Sequence, residues 1–246
     1  MAKKMNSAAR LLTILERVKT NTEGSTALDI WANYFEISEK NQIKKSVVTS
    51  SLLQAMHTEL ELALSQLSRT SISKSLYETH FSRIENAISP LLLAHQWGQV
   101  KQYLTPEVMT ALAFCSEILP DEEQEISEGE IESINSKVEE LINLLTDADI
   151  PLRLRSLIEN HISLIQKSLY EYQIAGAKSF RKAAREALGE IIEVREKFTD
   201  NKDIPVVSKL EETWKKINSA TDVALKAEKV VQIGQKTWDA ISNLLT

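Results

Sequence analysis

Apolar residues recur at intervals of three and four almost everywhere along this chain, and no window alternates apolar and polar residues for long. A helix returns a side chain to the same face every 3.6 residues and a strand every two, so the spacing alone selects helices. Punctuation is also scarce: 246 residues hold 6 glycines and 5 prolines. These are the residues that supply tight turns and stop helices, so their rarity predicts long elements with few joints. The expected fold class is all-α, a helical bundle followed by long antiparallel, coiled-coil-like helices.

Local signals divide the chain further. A helix from about Asn6 to Thr20 carries Ala8, Leu11, Leu12, Leu15 and Val18 on one side. Thr26 and Asp29 form a capping box for a second helix with Leu28, Trp31, Ala32 and Phe35 on its apolar face. A third spans roughly Ile43 to Leu67, with Val47, Leu53, Met56, Leu60 and Leu64 as its stripe. Ser89-Pro90 and Thr105-Pro106-Glu107 have the chemistry of helix starts, and Pro120 ends that run. Ser127 with Glu130 caps a helix to about Leu145. From Leu152 to Phe198 the pattern hardly stops, weakened by about 1 kcal/mol at each of Gly176 and Gly189. After the loop at Asp200 to Pro205, a last helix is predicted from about Val206 to Leu245, about 60 Å long. The expected organisation is a bundle over 1–120, an acidic linker over 121–130 and a long-helix lobe over 131–246.

The net charge of −6 is concentrated. Residues 121–140 hold nine acids and one lysine, a balance of −8, so the rest of the chain sums to +2. The front of that acidic segment, Asp121 to Ser127, is expected to be an exposed loop. Cys115 is the sole cysteine, which excludes an internal disulfide and a thiolate metal cluster. With no apolar run long enough to cross a bilayer, and charged residues where a signal core would lie, the expectation is a cytoplasmic protein.

Only RSLIENH, residues 155–161, has the look of catalytic chemistry. Its Arg155 and His161 resemble the Arg-x(4–6)-His signature of HEPN-type ribonucleases, the kind associated with toxin and antiviral systems. That resemblance covers seven residues and implies an RNA-cleaving pair. It departs from the pattern at Ser156, where Asn, Asp or His is usual. The competing account is geometric. His161 falls four residues after Leu157 and four before Ile165, inside the apolar stripe, and Arg155 lies about 120° away around the helix. A core histidine is expected there. The remaining histidines, His57, His80 and His95, sit on separate helices without paired-ligand spacing, so neither a metal nor another cofactor is expected. Phosphate loops and nucleophile elbows are absent from the sequence.

Two surfaces stand out instead. Lys178, Arg181, Lys182 and Arg185 line one helical face, and no acid lies between residues 172 and 185 to pair with them. Such a face suits phosphates, an acidic partner, or the acidic segment of the same chain; nucleic acid is the weaker choice for a chain that is acidic overall. The last helix carries a seam of Ile217, Ala220, Ala224, Ala227, Val231, Gly234, Trp238, Ile241 and Leu245, with small residues that admit a second backbone and Trp238 as an anchor. The expected function is therefore a non-enzymatic interaction or scaffold subunit, binding protein partners or a second copy through that seam. A ribonuclease using Arg155 and His161 is one alternative. The other is a membrane-acting effector using the amphipathic stretch Val230 to Leu245 of the last helix, whose modest basic face of Lys226, Lys229 and Lys236 is diluted by Glu228 and Asp239.

Overall fold

The computed structural model describes residues 4–21, 25–147, 150–193 and 204–225. Among the described residues it is all helical, with ten α-helices, two short 3₁₀ turns and no strand. The chain divides into two units, Met1–Glu122 with Gln173–Ala175, and Glu123–Tyr172 with Gly176–Thr246.

In the first unit the helices are α1 (Ser7–Lys19), α2 (Ala27–Tyr34), α3 (Gln42–Leu67), α4 (Glu78–Ala87), α5 (Trp97–Lys101) and α6 (Pro106–Ile118). Asn6 explains how the first of them starts. Its Oδ1 accepts the Ala9 N–H at 3.0 Å, and its Nδ2 donates to the carbonyls of Ser116 and Leu119 at the end of α6. One buried side chain thus satisfies orphan groups at the start of α1 and at the end of α6. The α2 box forms as its sequence indicates, with Thr26 Oγ1 accepting the Asp29 N–H at 3.2 Å. Trp31 stacks on Phe35 and meets Trp97 edge-on, ring centres 6.0 Å apart, in the middle of the core.

Buried charge is concentrated at one point of this unit. The Arg10 guanidinium lies 2.5 Å from Glu59 and 2.8 Å from Glu122, all three nearly buried. Glu122 also accepts from Ser7 Oγ at 2.6 Å and from Gln66 Nε2 at 3.1 Å.

The expected stripe of α3 needs correction at its front. Val47 is 64% exposed and Ile43 77%, whereas Leu53, Met56 and Leu60 further along the helix are buried.

The second unit comprises α7 (Glu128–Asp147), α8 (Leu152–Ala175), α9 (Lys178–Glu193) and α10 (Pro205–Ala224). Its core runs through Ile134, Val138 and Leu141 of α7, Ile158 and Ile165 of α8, Phe180 of α9, and Trp214 and Ile217 of α10. Ser127 caps α7 through the Glu130 N–H.

Three features of this unit depart wholly or in part from expectation. The near-continuous helix from 152 is broken at Gly176, where φ is 64° and ψ −153°, a region open essentially to glycine alone. The acidic front is the expected loop, with Asp121, Gln124, Glu125 and Ser127 exposed, but Glu123 and Ile126 within it are buried. The Glu123 carboxylate accepts the Ala177 N–H at 2.8 Å, a negative charge at the N-terminus of α9, where the helix dipole favours one. It lies so close to Gly176 that a Cβ there would fall 1.6 Å from its Oε1. Finally, the 40-residue last helix does not form. α10 stops at Ala224, and Leu225 is at φ −93°, ψ 70°. Neither glycine nor proline marks the stop; the Gln124 N–H donates to the Ala224 carbonyl at 2.7 Å, closing the helix end from a distant part of the chain.

Candidate functional site

His161 is fully buried, and its surroundings dictate its proton. The Trp214 indole N–H, which can only donate, points at His161 Nδ1 across 3.1 Å with the rings nearly perpendicular. Nδ1 must therefore carry the lone pair, and the neutral ring holds its proton on Nε2. Glu190 Oε2 lies 3.5 Å from that nitrogen. The carboxylate favours the charged ring, but burial dominates and pushes the pKa down to about 4. Protonating Nδ1 would also break the indole bond. Arg155, half-buried, donates to the Leu145 carbonyl at 2.8 Å, at the C-terminal end of α7.

A ribonuclease histidine has to hand a nitrogen lone pair or proton to a substrate at hydrogen-bond distance. The Nδ1 lone pair of His161 is engaged by Trp214, and no face of the ring meets solvent. The arrangement suits a packing histidine.

The basic face of α9 is partly covered. Lys182 and Arg185 are exposed, whereas Lys178 and Arg181 are half-buried. Burial, then the neighbouring Arg185 charge, lowers the Arg181 pKa, and the charges of Asp222 and Glu123 oppose that change. Asp222 is itself raised by burial, with Arg181 acting against it. The acids missing from the local sequence therefore arrive from α10 and from the acidic segment.

Of the predicted seam, Ile217, Ala220 and Ala224 are buried within the core of the second unit. Ser219, Ala220, Val223 and Ala224 also flank a cavity of about 220 Å³, faced by Glu125 to Ser127 and Glu130. Ala220 and Ala224 thus serve this unit's own packing rather than an open interface. Ala227, Val231, Gly234, Trp238, Ile241 and Leu245 lie outside the described residues, as does the proposed membrane stretch Val230 to Leu245.

Two surfaces of the first unit are not evident from sequence. One is the ridge of Ile43, Val47 and Val48 on α3; the 3₁₀ turn Pro90–Leu92, whose Leu91 is 87% exposed, packs against the same helix. The sequence signal of the ridge is ambiguous, since an apolar i, i+4 pair reads the same whether it faces a core or solvent. The other is a groove of about 480 Å³ between α3 and α4, floored by Leu60, Leu64, Tyr77 and Phe81.

Among the described residues no group of histidine, cysteine and carboxylate side chains is placed to hold a metal ion, and no helix is long and apolar enough to cross a membrane. Cys115 is buried, and burial pushes its thiol up to about 11, far from a reactive thiolate. Comparison of the chain with protein families, with curated proteins and with solved structures gives no match.

Proposed function

We propose that this protein is a non-catalytic helical interaction subunit, acting through contacts with protein partners in a cytoplasmic complex. The observation that carries this reading is the exposed ridge on α3. Ile43 and Val47, one turn apart and 77% and 64% exposed, place branched apolar side chains in water, with Val48 beside them. Contiguous exposed apolar surface on a folded unit typically marks an interaction site. The reducing interior of a cell suits a chain whose one cysteine is buried and unreactive. The sealed histidine supports the non-catalytic half of the proposal.

The test is the double variant Ile43→Asp/Val47→Asp. Both positions lie on the surface, so stability should stay within about 0.5 kcal/mol of wild type. Affinity capture from the native host, quantified against wild-type bait, should lose at least one co-purifying protein. Identical captures would refute the ridge as the working surface. A marked fall in melting temperature would show that these residues pack within the fold.

A further inference from the structure

The exposed ridge on α3 is charged as well as apolar. At 100° per residue, Lys44 falls about 60° beyond Val47 around the helix and about 40° short of Val48, and Lys45 lies about 60° beyond Val48. Lys44 is exposed and Lys45 half-buried; Lys40, one residue before the Asn41 cap, is exposed too. Among the described residues none of these three lysines takes part in an ion pair. No acid occurs in the sequence from Lys40 to Thr58. Glu59, the next one, is buried against Arg10, and Glu39, the one before, accepts the Asn41 N–H at 2.8 Å. The turn Pro90–Leu92, which packs against α3 and exposes Leu91, also belongs to an acid-free stretch, Asn86 to Pro106. In a chain of net charge −6 the ridge is a local reversal of sign. Its place on the helix sharpens the point. The first turn of α3 contains no acid, although the positive end of a helix dipole favours acids and opposes lysines.

We propose that this ridge packs against an acidic amphipathic helix of a partner protein. The inference rests on the interaction reading above and adds to it the chemistry of the partner. Ile43 and Val47, four residues apart, form the kind of row that interlocks with a matching row when two helices pack side by side. A partner helix with apolar residues at i, i+3 and i+4 meets that row. Its flanking glutamates or aspartates face Lys40, Lys44, Lys45 and the positive end of α3. A purely apolar partner would cover the Lys44 ammonium, set between two valines, without a counter-charge. A purely acidic segment would leave Ile43 and Val47 in water. Anionic lipid offers the same mixture of charge and apolar surface, but large aromatics are the typical anchors at a bilayer surface. Both tryptophans of this unit, Trp31 and Trp97, are inside its core.

The probe is a fluorescently labelled synthetic helix of about five turns, with leucines on one face, glutamates flanking them and alanines behind. Two control peptides accompany it: one of the same composition with the pattern scrambled, and one with lysines replacing the glutamates. Anisotropy titration should show the patterned glutamate peptide binding the full-length protein, with affinity falling as salt rises. Lys40→Gln/Lys44→Gln/Lys45→Gln, which removes charge, and Ile43→Ser/Val47→Ser, which removes apolar surface, should each weaken binding by at least about tenfold. Circular dichroism confirms that each variant is folded. Sedimentation with vesicles of phosphatidylcholine and phosphatidylserine should leave the protein in the supernatant. A captured partner that is lost from Ile43→Asp/Val47→Asp but kept by the lysine variant would leave the ridge as the working surface and remove the acidic helix. The proposal is also overturned if the glutamate peptide does not bind, if either control peptide binds equally well, or if either variant keeps wild-type affinity. Pelleting of the protein with the vesicles, abolished in the lysine variant, would overturn it in favour of a lipid surface.

Discussion

The His161–Trp214 pair makes the second unit sensitive to acid in a way that can be calculated. In the unfolded chain the imidazole takes a proton near 6.5; in the fold, burial holds that uptake off until about 4. The depressed value means that stability is complete above 6.5 and is lost as the pH falls from there towards 4. Over that interval the unfolded state binds a proton that the native state refuses. Each pH unit travelled inside that interval costs about 1.4 kcal/mol, so lowering the pH from 7.5 to 5 should cost about 2 kcal/mol through this residue alone. Other groups titrate over the same range, and a matched variant removes them from the comparison. His161→Asn keeps an amide oxygen near the position of Nδ1 to accept the Trp214 indole N–H, and it does not titrate. Urea unfolding of both proteins at the two pH values, followed by circular dichroism, gives the difference directly. Wild type should lose about 2 kcal/mol more than His161→Asn between pH 7.5 and 5. Equal losses would refute the argument, as would an NMR titration of the His161 ring with its midpoint above 6. His161→Ala, which leaves the indole N–H buried without this acceptor, should cost about 1–3 kcal/mol even at pH 7.5. RNA cleavage by the purified protein, abolished in a folded His161→Ala variant, would restore the ribonuclease alternative.

Two further substitutions probe the buried charges and the chain reversal. Arg10→Met strands the carboxylates of Glu59 and Glu122 inside the first unit, and calorimetry should show a loss of about 3–5 kcal/mol, the usual penalty for uncompensated buried charge. Gly176→Ala meets both a backbone region closed to other residues and the Glu123 carboxylate, so it should destabilise the second unit by about 2 kcal/mol or more in urea melts. Glu123→Ala, which removes the acceptor of the Ala177 N–H and a negative charge near Arg181, should cost about 1–2 kcal/mol by the same assay. A Gly176→Ala protein as stable as wild type would contradict a positive φ at that residue.

Residue order made legible whatever short-range physics decides. The helical class follows from the three-four spacing and the scarcity of glycine and proline. Thr26 with Asp29, Thr105 before Pro106 and Ser127 with Glu130 marked three helix starts, because a cap is a bond between residues two or three apart. The place of His161 in its apolar stripe anticipated its burial. Two of the departures involve partners distant in sequence. α10 ends at Ala224 because Gln124, a hundred residues earlier, closes its last carbonyl, and no local residue announces that. The segment from Asp121 looked solvated because it is acidic, yet Glu123 finds the N-terminus of α9 and Glu122 finds Arg10. Charge alone gives a preference for water, and only a folded neighbour can override it. The ridge at Ile43 and Val47 errs in the opposite direction: periodicity shows that two apolar residues share a face, not that another helix covers it. Local order along the chain selects which helices form. Where they stop and which faces stay open is settled by long-range packing, since both depend on contacts that exist only after the chain has folded back on itself.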